Sequence, residues 1–477
     1  MRCHQVYQNL QDLDGVSLQI PESRIAIDAP ETTKGNTSLP LELMNCHSTD
    51  QEDLDWLKDQ HLKYDTIFSK DQWDVGSKKG SSVHFKVKTN ATICHQRFRR
   101  VNPNIKKEAD EIISMLLSRR LIQVSASPWS SRILFVEKGA PDALIKGTGG
   151  VPGQKIFQAK RKLRLVCDFR FVSSRLKQLD TALPAPTILE ILNDIHSASY
   201  ISTIDLSQGF WNYKIAKESR QYTAFTYEDV VYEFLRLPQG LSISSKCMQY
   251  KMRNFTMKYA LQGCTVYIDN VLVFTPDKET YKIRLSAFFK ACMQEGYKLK
   301  LNKSHHFIMH KFILFGFQID LISHCLTPEP DKISKIMDLV VPNDKKKCKS
   351  FLGTVSYFAP LIPHLQRILA PLHSITGANS KFCWTGECQD SFDEIKRVLA
   401  KIPVIHLMRP DKTIYATTDG AAGQYIAYTL WQHDDNLKQM VPIKHNSHKL
   451  SASEKNFSQW ECEGLALVYC LSKEEAL

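Results

Sequence analysis

Hydrophobic residues recur along the chain with two spacings, one typical of helices and one typical of strands. From Pro103 to Leu121, apolar residues three or four positions apart fall on one face and predict a helix. Runs of β-branched and aromatic residues over 131–136 and 200–206 predict strands. This mixture continues to about residue 324, so we expect helices and strands together up to that point. Helical spacing then predicts helices over 328–339, 345–358 and 365–372.

Three segments lack a strong period and predict connections. Residues 1–80 have mixed polarity, apart from a short helical pattern near 54–64, and are expected to form a linker with a loosely ordered lead-in. Residues 139–161 are rich in Gly, Pro and Lys, which predicts a mobile loop. Residues 403–410 have the character of a connector, after which 413–419 opens a final segment with a strand-like run.

A hairpin is predicted over residues 265–274, where two short apolar runs are joined at a polar turn, Asp269-Asn270. This turn would present a carboxylate at the tip of a buried sheet. A second carboxylate, Asp205, comes at the end of the predicted strand 200–206. Since Mg²⁺ prefers hard oxygen ligands, two strand-end carboxylates could share the metal pair that phosphoryl transfer uses. Taken singly, each residue also fits an ordinary explanation, as a core hairpin turn or a helix N-cap.

Composition narrows the class of protein. With 477 residues, 43% hydrophobic and 23% charged, the chain has the make-up of a globular protein of two to four domains. Its 62 basic and 50 acidic residues leave a net charge of +12, which favours a polyanionic partner such as a nucleic acid. The sequence has no apolar run of membrane-spanning length and no signal-peptide core, and its 13 cysteines are expected to be reduced thiols. We therefore expect an intracellular protein and not a secreted one.

Short motifs follow one another in the order found in reverse transcriptases of gypsy-like LTR retrotransposons and retroviruses. They are Ser127-Pro128-Trp129-Ser130-Ser131, Leu165-Val166-Cys167-Asp168-Phe169-Arg170, the run from Ser202 to Trp211, Thr223-Ala224-Phe225, Tyr232-Glu233-Phe234, Leu237-Pro238-Gln239-Gly240-Leu241, the hairpin, Gly296-Tyr297-Lys298-Leu299, Phe315-Gly316-Phe317, Ser350-Phe351-Leu352-Gly353 and Ala370-Pro371-Leu372. Each motif alone is weak, but the ordered series spans roughly residues 95–470. The chain therefore resembles this family.

The resemblance implies an RNA-directed DNA polymerase of the α+β class, a right hand of fingers, palm and thumb followed by a truncated ribonuclease H-like domain. We expect a lead-in over 1–80, fingers and palm over 81–325, thumb and connection over 326–400, and a partial ribonuclease H-like domain over 401–477. Neither an Asp-Ser/Thr-Gly protease triplet nor a His-Cys integrase zinc pattern is visible, so a fragment of a Pol polyprotein is expected. The implied partners are an RNA or DNA template with its primer, dNTPs and other Pol products, with no membrane partner.

By resemblance, Asp205 and Asp269 would bind two Mg²⁺ ions, with Mn²⁺ as a substitute, and Asn270 stands where the family has a third carboxylate. Asparagine is nearly isosteric with aspartate and tolerates turns, so the hairpin should survive. It removes one negative charge, which weakens cation binding. Two interpretations stay open: a polymerase whose activity Asn270 impairs, or a catalytically inactive, nucleic-acid-binding remnant of a decayed element.

Further roles are implied by position within the motifs. The residues expected to bind the nucleotide are Arg164, Phe210, Gln239 and Gly240, and those expected to grip the primer terminus are Phe315 and Gly316. Phe210 would exclude ribonucleotides by its bulk beneath the sugar, and a core aromatic is the alternative. The family's lysine after the hairpin is not cleanly preserved: His305 stands near its place, with Lys303 two residues earlier. The basic run 345–349 would contact the primer–template backbone, or else be a solvated helix end.

The final segment resembles the start of a ribonuclease H domain. Thr418-Asp419-Gly420 matches its first-strand aspartate, and Glu463 aligns best with its catalytic glutamate, with Glu461 as the alternative. The later aspartates of that site do not follow before Leu477. Because a two-metal hydrolase needs all of its ligands, ribonuclease H activity is not expected.

Overall fold

The computed structural model describes most of the chain, with gaps. The described residues are 45–46, 50–71, 73–78, 82–93, 95–96, 100–137, 163–177, 188–195, 198–300, 306–377, 380–401, 403–422, 424–451 and 453–474. The predicted mobile loop over 139–161 and the candidates Lys303 and His305 lie outside these residues.

Strands and helices alternate along the described part. The strands are β1 Asn45–Cys46, β2 Ile122–Val124, β3 Arg132–Glu137, β4 Leu163–Asp168, β5 Tyr200–Asp205, β6 Phe225–Tyr227, β7 Val230–Phe234, β8 Cys264–Tyr267, β9 Asn270–Thr275, β10 His306–Met309, β11 Lys311–Leu314, β12 Phe317–Asp320, β13 Cys325–Pro328, β14 Ile405–His406, β15 Tyr415–Ala421, β16 Tyr425–Asp434 and β17 Gln439–Lys449. The helices are α1 Gln51–Lys63, α2 Pro103–Ser118, α3 Arg170–Ser173, α4 Ile188–Asp194, α5 Lys217–Arg220, α6 Ser244–Lys258, α7 Lys278–Glu295, α8 Pro330–Met337, α9 Lys345–Ser356, α10 Leu365–Ser374, α11 Gly386–Ala400 and α12 Gln459–Lys473.

Most of the predicted elements are present at the predicted places. Helix α2 begins at Pro103 behind the cap Asn102, whose side chain accepts a hydrogen bond from the Asn104 N–H at 3.0 Å. Helices α8, α9 and α10 match the three helices predicted beyond residue 324. Strands β3 and β5 match the predicted runs over 131–136 and 200–206 within one residue at each end.

The largest sheet contains five strands in the order β1-β10-β5-β9-β8, so β5 lies in its middle. Strand β5 pairs antiparallel with β9 from Tyr200 opposite Thr275 to Asp205 opposite Asn270. Helices α6 and α7 share one core with this sheet. Their fully buried residues include Met252, Phe255, Phe288 and Phe289, with Val271 and Val273 from β9. Because β5 is bonded on both edges and packed beneath, Asp205 at its end starts from a rigid backbone.

Two smaller sheets stand beside the central one, with orders β2-β7-β6 and β3-β4. In the β3-β4 hairpin, Arg164 lies opposite Val136. Phe169, just after β4, packs edge-on against Phe234 of β7, with ring centroids 6.4 Å apart. This contact holds β4 against the β2-β7-β6 sheet and so fixes the backbone position of Arg164.

Part of the predicted linker is folded. Helix α1 and the turn after it bury Leu57, Ile67 and Phe68 in the core of the central sheet, each no more than 1% exposed. Helix α1 confirms the helical pattern predicted near 54–64, but the expectation of a linker over 1–80 is wrong for residues 50–69. The other faces of α1 carry charged residues, so the segment as a whole has mixed polarity and its apolar face is not evident from composition.

A second core joins a four-stranded sheet, β11-β12-β13-β14, to helices α8 to α11. The segment 403–410 was expected to be a connector, yet it supplies β14, in which Ile405 pairs opposite Leu326. Ile405 is 2% exposed. This stretch is therefore part of the second core. Its apolar run is too short to show the periodicity of a strand in the sequence.

The last described segment forms the sheet β15-β16-β17 with α12 packed against it. A Cβ at Gly420 would come within 2.6 Å of the Cys462 carbonyl carbon, so only glycine allows β15 and α12 to cross this closely. In the described residues, no helix is long and apolar enough to span a bilayer.

Candidate active site

Two carboxylates meet at the end of the central sheet. Asp205 ends β5, and Asp269 lies in the turn between β8 and β9. Tyr267 pairs directly with Asn270, so the two turn residues are Ile268 and Asp269. The turn was thus predicted one residue too far along the chain, at Asp269-Asn270. The reason is that Ile268, the first residue of the turn, is apolar and continues the hydrophobic run of the preceding strand.

The turn is held in a strained shape by the helix beneath it. Ile268 has φ +56°, a conformation that a β-branched residue rarely adopts. The buried Gln249 of α6 accepts a hydrogen bond from the Ile268 N–H at 2.7 Å and donates one to the Val266 carbonyl at 2.8 Å. These two bonds clamp both sides of the turn and so fix the backbone that carries Asp269.

Asn270 is the first residue of β9 and stands directly opposite Asp205 in an antiparallel pair. Opposed residues in such a pair project from the same face of the sheet, with Cβ atoms about 5 Å apart. The amide of Asn270 therefore begins beside the Asp205 carboxylate. A carboxylate at this position would place two like charges across one strand pair.

The loop after Asp205 packs tightly against the turn. A Cβ at Gly209 would lie 2.9 Å from the Asp269 Cβ and 2.5 Å from Met248, so a larger residue would push the turn away. The fully buried Asn212 donates hydrogen bonds to the Ser207 and Gly209 carbonyls, each at 3.1 Å. The chain thus brings the ends of β5 and β8 within van der Waals contact.

Burial raises the pKa of both carboxyl groups above their ordinary range. For Asp205, the loss of solvent is opposed by the charge of Lys300 and reinforced by that of Asp269. For Asp269, the loss of solvent outweighs a backbone hydrogen bond and the charge of Lys300. Two such carboxylates and one amide are oxygen donors of the kind that Mg²⁺ prefers, and a divalent cation would relieve their buried charge. The residues therefore fit a divalent metal ion.

The carboxylates open onto a cleft of about 760 Å³. All four predicted nucleotide-binding residues line it together with them: Arg164, Phe210, Gln239 and Gly240. On one wall, the Arg164 guanidinium donates a hydrogen bond to the Gln239 side-chain oxygen, which joins the fingers strand β4 to the loop before α6. Phe210 is 8% exposed and belongs to the main core as well as to the cleft lining. The two interpretations of Phe210, gate and core aromatic, are thus not exclusive.

The predicted primer-grip residues form the turn between β11 and β12. Phe315 and Gly316 both have positive φ, +50° and +77°, as a two-residue turn of this kind requires. The Phe315 ring contacts Tyr267 of the β8–β9 hairpin edge-on, with centroids 4.4 Å apart, and the Tyr357 hydroxyl donates to the Phe315 carbonyl. The turn therefore touches the hairpin of Asp269, but it lies outside the lining of the cleft.

Three further residues of the site carry no recognised motif. Lys300 lines the cleft beside both carboxylates, Gln249 clamps the turn, and Trp73 stacks on Trp211 with rings 6.1 Å apart. A buried glutamine in an otherwise apolar helix face was a usable signal for Gln249. Trp73 belongs to a segment predicted to be a linker, and the sequence offered no sign of its position.

The basic run at the start of α9 has mixed roles. Lys345 donates hydrogen bonds to the carbonyls of Gly377 and Ser380, both at 2.8 Å, and the Lys347 ammonium donates one to the Asn343 side-chain oxygen at 2.7 Å. Lys346 and Lys349 are exposed. Only part of this run thus presents charge to a partner.

In the last domain, Asp419 of β15 and Glu463 of α12 lie where the strand and helix cross at Gly420. Glu461 is used in a capping box, where its carboxylate accepts the Ser458 N–H at 2.7 Å, which favours Glu463 as the counterpart of Asp419. Asp419 accepts a hydrogen bond from the Tyr425 hydroxyl at 3.1 Å. Its carboxylate also lies 3.3 Å from the His364 ring.

Known families match this chain in two places. Residues 152–355 match the reverse transcriptase (RNA-dependent DNA polymerase) family, and residues 384–477 match the RNase H-like domain found in reverse transcriptase. The Pol polyprotein from transposon opus of Drosophila melanogaster is 26% identical over 389 residues, covering 78% of this chain and 36% of the polyprotein. The polyprotein from transposon gypsy of the same organism is 27% identical over 392 residues, 79% and 35% of the two lengths. The chain thus spans about a third of these relatives.

Solved structures show the same fold. The foamy viral protease-reverse transcriptase dRH in complex with double-stranded DNA superimposes with a TM-score of 0.76 at 24% identity, over 96% of this chain and 76% of the other. The foamy viral protein in complex with an RNA/DNA hybrid gives 0.73 at 23% identity, over 95% and 58%.

The sheet order, the cleft and the helices beyond it define the polymerase fold of reverse transcriptases, followed by a ribonuclease H-like domain. Residues 152–355 belong to the reverse transcriptase family and residues 384–477 to the RNase H-like domain found in reverse transcriptase. The chain is related to the Pol polyproteins of gypsy-family LTR retrotransposons and has the fold of the foamy viral reverse transcriptase.

Proposed function

We propose that this protein is an RNA-directed DNA polymerase of a retrotransposon that adds dNTPs to a primer. The observation that carries the proposal is the cleft itself. The half-buried carboxylates Asp205 and Asp269 and the linked pair Arg164 and Gln239 all line it. A triphosphate is a polyanion that needs both a bound cation and a basic side chain, and this cleft supplies residues for both.

Each residue has a distinct task in this reaction. Asp205 and Asp269 would hold the Mg²⁺ ions, and Asn270 would add an uncharged oxygen. When bound, the ions supply activation of the primer 3′-hydroxyl and charge neutralisation on the leaving pyrophosphate. The Arg164 guanidinium would bind triphosphate oxygens, with Gln239 holding its orientation. Gly240, with φ +96°, keeps side-chain bulk away from the nucleotide.

The primer end would be aligned by the turn of Phe315 and Gly316. This turn contacts Tyr267, two residues before Asp269. A displacement of the β11–β12 turn would therefore also displace the β8–β9 hairpin. Correct alignment of the attacking oxygen contributes a large part of the rate in phosphoryl transfer.

The proposed partners are an RNA or DNA template with its primer, and dNTPs. The solved relatives in complex with double-stranded DNA and with an RNA/DNA hybrid support duplex binding. The relatives named as Pol polyproteins support association with other Pol products. A particle-associated cytoplasmic or a nuclear location follows from this proposal.

Nucleotide binding tests the proposal without requiring turnover. The full chain is mixed with an RNA template whose DNA primer ends in a dideoxynucleotide, and gel mobility then measures the stable complex. The matching dNTP is expected to stabilise the complex at least about tenfold over a mismatched one. Arg164→Ala should remove this preference, whereas Arg253→Ala, on the exposed face of α6, should retain it. Equal stability with all four dNTPs would contradict the assignment.

Phe210→Val is expected to relax selection against ribonucleotides by about 10- to 100-fold, because a smaller side chain leaves room beside the sugar 2′ carbon. The measurement is the ratio of kcat/KM for dCTP and CTP. Phe225→Leu is the matched control, since Phe225 is fully buried in the same core but does not line the cleft. If both variants change the ratio alike, Phe210 acts only as a core residue.

Ribonuclease H activity is not part of the proposal. The Asp419 carboxylate contacts Tyr425 and also His364, which precedes helix α10. We propose that it holds the ribonuclease H-like domain against the α10 region. Asp419→Asn is accordingly expected to change primer extension less than about twofold, given the small energies of half-exposed contacts. A loss comparable to that of an Asp205 variant would contradict the separation of the two sites.

One observation favours the second candidate, a catalytically inactive remnant that binds nucleic acid. Asn270 lowers the negative charge beside Asp205 and so weakens cation binding. In that case the protein would bind primer–template duplex but would not extend it.

A further inference from the structure

Lys300 is tied by its backbone to the end of the central strand. Its N–H donates to the Asp205 carbonyl at 3.0 Å, and the neighbouring Leu299 bridges antiparallel to Leu206. The Ser207 N–H then donates to the Lys298 carbonyl at 2.8 Å. Residues 298–300 therefore run as a short edge beside the loop that follows Asp205, which fixes the origin of the Lys300 side chain.

Lys300 is an exposed residue that lines the same cleft as Asp205 and Asp269. Its positive charge acts on both acids and opposes the rise of each pKa. Lys298, two residues earlier, is bound elsewhere: its ammonium forms an ion pair with Asp74 at 3.3 Å, and it does not line the cleft. Of these two neighbouring lysines, Lys300 is thus the one that lines the cleft of the carboxylates.

Before any metal binds, the ionised groups counted at the site sum to a net charge of −1. Asp205 and Asp269 contribute two negative charges, Lys300 one positive charge and Asn270 none. The affinity of a carboxylate site for a divalent cation is set largely by the number of charged ligands. An ammonium near these ligands repels a divalent ion and offsets part of the negative charge that would attract it.

We propose that Lys300 determines metal affinity at this site by acting as a tethered counter-ion of Asp205 and Asp269, so that the divalent ion binds firmly only together with a nucleotide triphosphate. This inference rests on the proposed function. The triphosphate adds negative charge to the same cleft and gives the ammonium a second anion to face. Metal loading thereby becomes dependent on nucleotide, a property that the motif pattern did not predict.

Mn²⁺ binding to the full chain tests this inference without requiring catalysis. Electron paramagnetic resonance measures free Mn²⁺ for the wild type, Lys300→Met, the matched control Lys298→Met and Asp205→Asn, with and without dATP. Lys300→Met is expected to tighten Mn²⁺ binding about tenfold without nucleotide, while Lys298→Met stays within about twofold because its charge lies outside the cleft. Addition of dATP should improve Mn²⁺ binding in the wild type by a larger factor than in Lys300→Met.

The outcomes separate this inference from the proposed function. If Lys300→Met and Lys298→Met bind Mn²⁺ alike, while the wild type binds it in an Asp205-dependent way, the role of Lys300 is overturned and the metal site stands. If no protein, Asn270→Asp included, shows Asp205-dependent binding, both are overturned. Lys300→Gln replaces Lys300→Met if the latter does not keep the wild-type circular dichroism spectrum.

Discussion

Replacing Asp205 with asparagine is expected to abolish primer extension, by at least about a thousandfold, and at the same time to stabilise the metal-free protein. The loss of activity follows from the removal of one of the two carboxylates in the cleft. The gain in stability follows from burial, which raises the pKa of Asp205 against the opposing charge of Lys300. A carboxylate that is harder to ionise in the folded state costs folding free energy at neutral pH, and an amide does not.

The stability gained by Asp205→Asn is expected to grow as the pH rises. Because the folded-state pKa of Asp205 lies above the unfolded value of about 4, its favourable contribution is complete below about pH 4 and is lost as the pH rises through the folded-state pKa. In EDTA, Asp205→Asn should therefore melt roughly 1–3 °C above the wild type at pH 7 and coincide with it near pH 4. Asp229→Asn removes the same charge from an exposed site and should change neither property. Lost activity with lowered stability would instead indicate a structural role for Asp205.

The second large effect is expected from Asn270→Asp, which should raise primer extension at limiting Mg²⁺ by about tenfold, equivalent to roughly 1.4 kcal/mol of metal binding. The added carboxylate would stand directly opposite Asp205 on the same face of the sheet. Without metal, its negative charge repels the Asp205 carboxylate, whereas with metal bound the same charge attracts the cation. The metal-free variant should consequently be less stable, by about 0.2–1 kcal/mol.

A titration of initial extension rate against Mg²⁺ concentration measures this effect, and urea unfolding in EDTA measures the cost. Asn254→Asp, an exposed position on α6, makes the same substitution away from the cleft and should leave both curves unchanged. If Asn270→Asp shifts neither curve, Asn270 does not lower the affinity of the site for Mg²⁺.

The parts of the fold that the sequence predicts well are those with a strong local period or an ordered motif. Helix α2 has both an apolar stripe and a capped start, and β5 is rich in β-branched and aromatic residues, so each was placed within a few residues. The four nucleotide-binding candidates and both aspartates are brought into one cleft. These residues lie in separate elements of the described chain, and their convergence depends on sheet order rather than on any local signal.

What the sequence did not reveal depends on contacts between distant segments. Lys300 enters the site because residues 298–300 pair with the loop after Asp205, and no pattern within that segment indicates its partner. The turn at Ile268 was misplaced because a strained, β-branched residue is an unusual choice there, and Gln249 of α6 holds it in place. Residues 50–69 were assigned to a linker because one apolar face of α1 is diluted by charged neighbours.

Primer extension by the full chain on an RNA template, with dNTPs and Mg²⁺ or Mn²⁺, measures the proposed polymerase activity itself. Templated DNA synthesis is expected from the wild type, and Asp205→Asn should abolish it while Asp229→Asn preserves it. The absence of synthesis by both the wild type and Asn270→Asp at saturating Mn²⁺, with tight binding of the primer–template duplex, would contradict this expectation and leave a nucleic-acid-binding remnant.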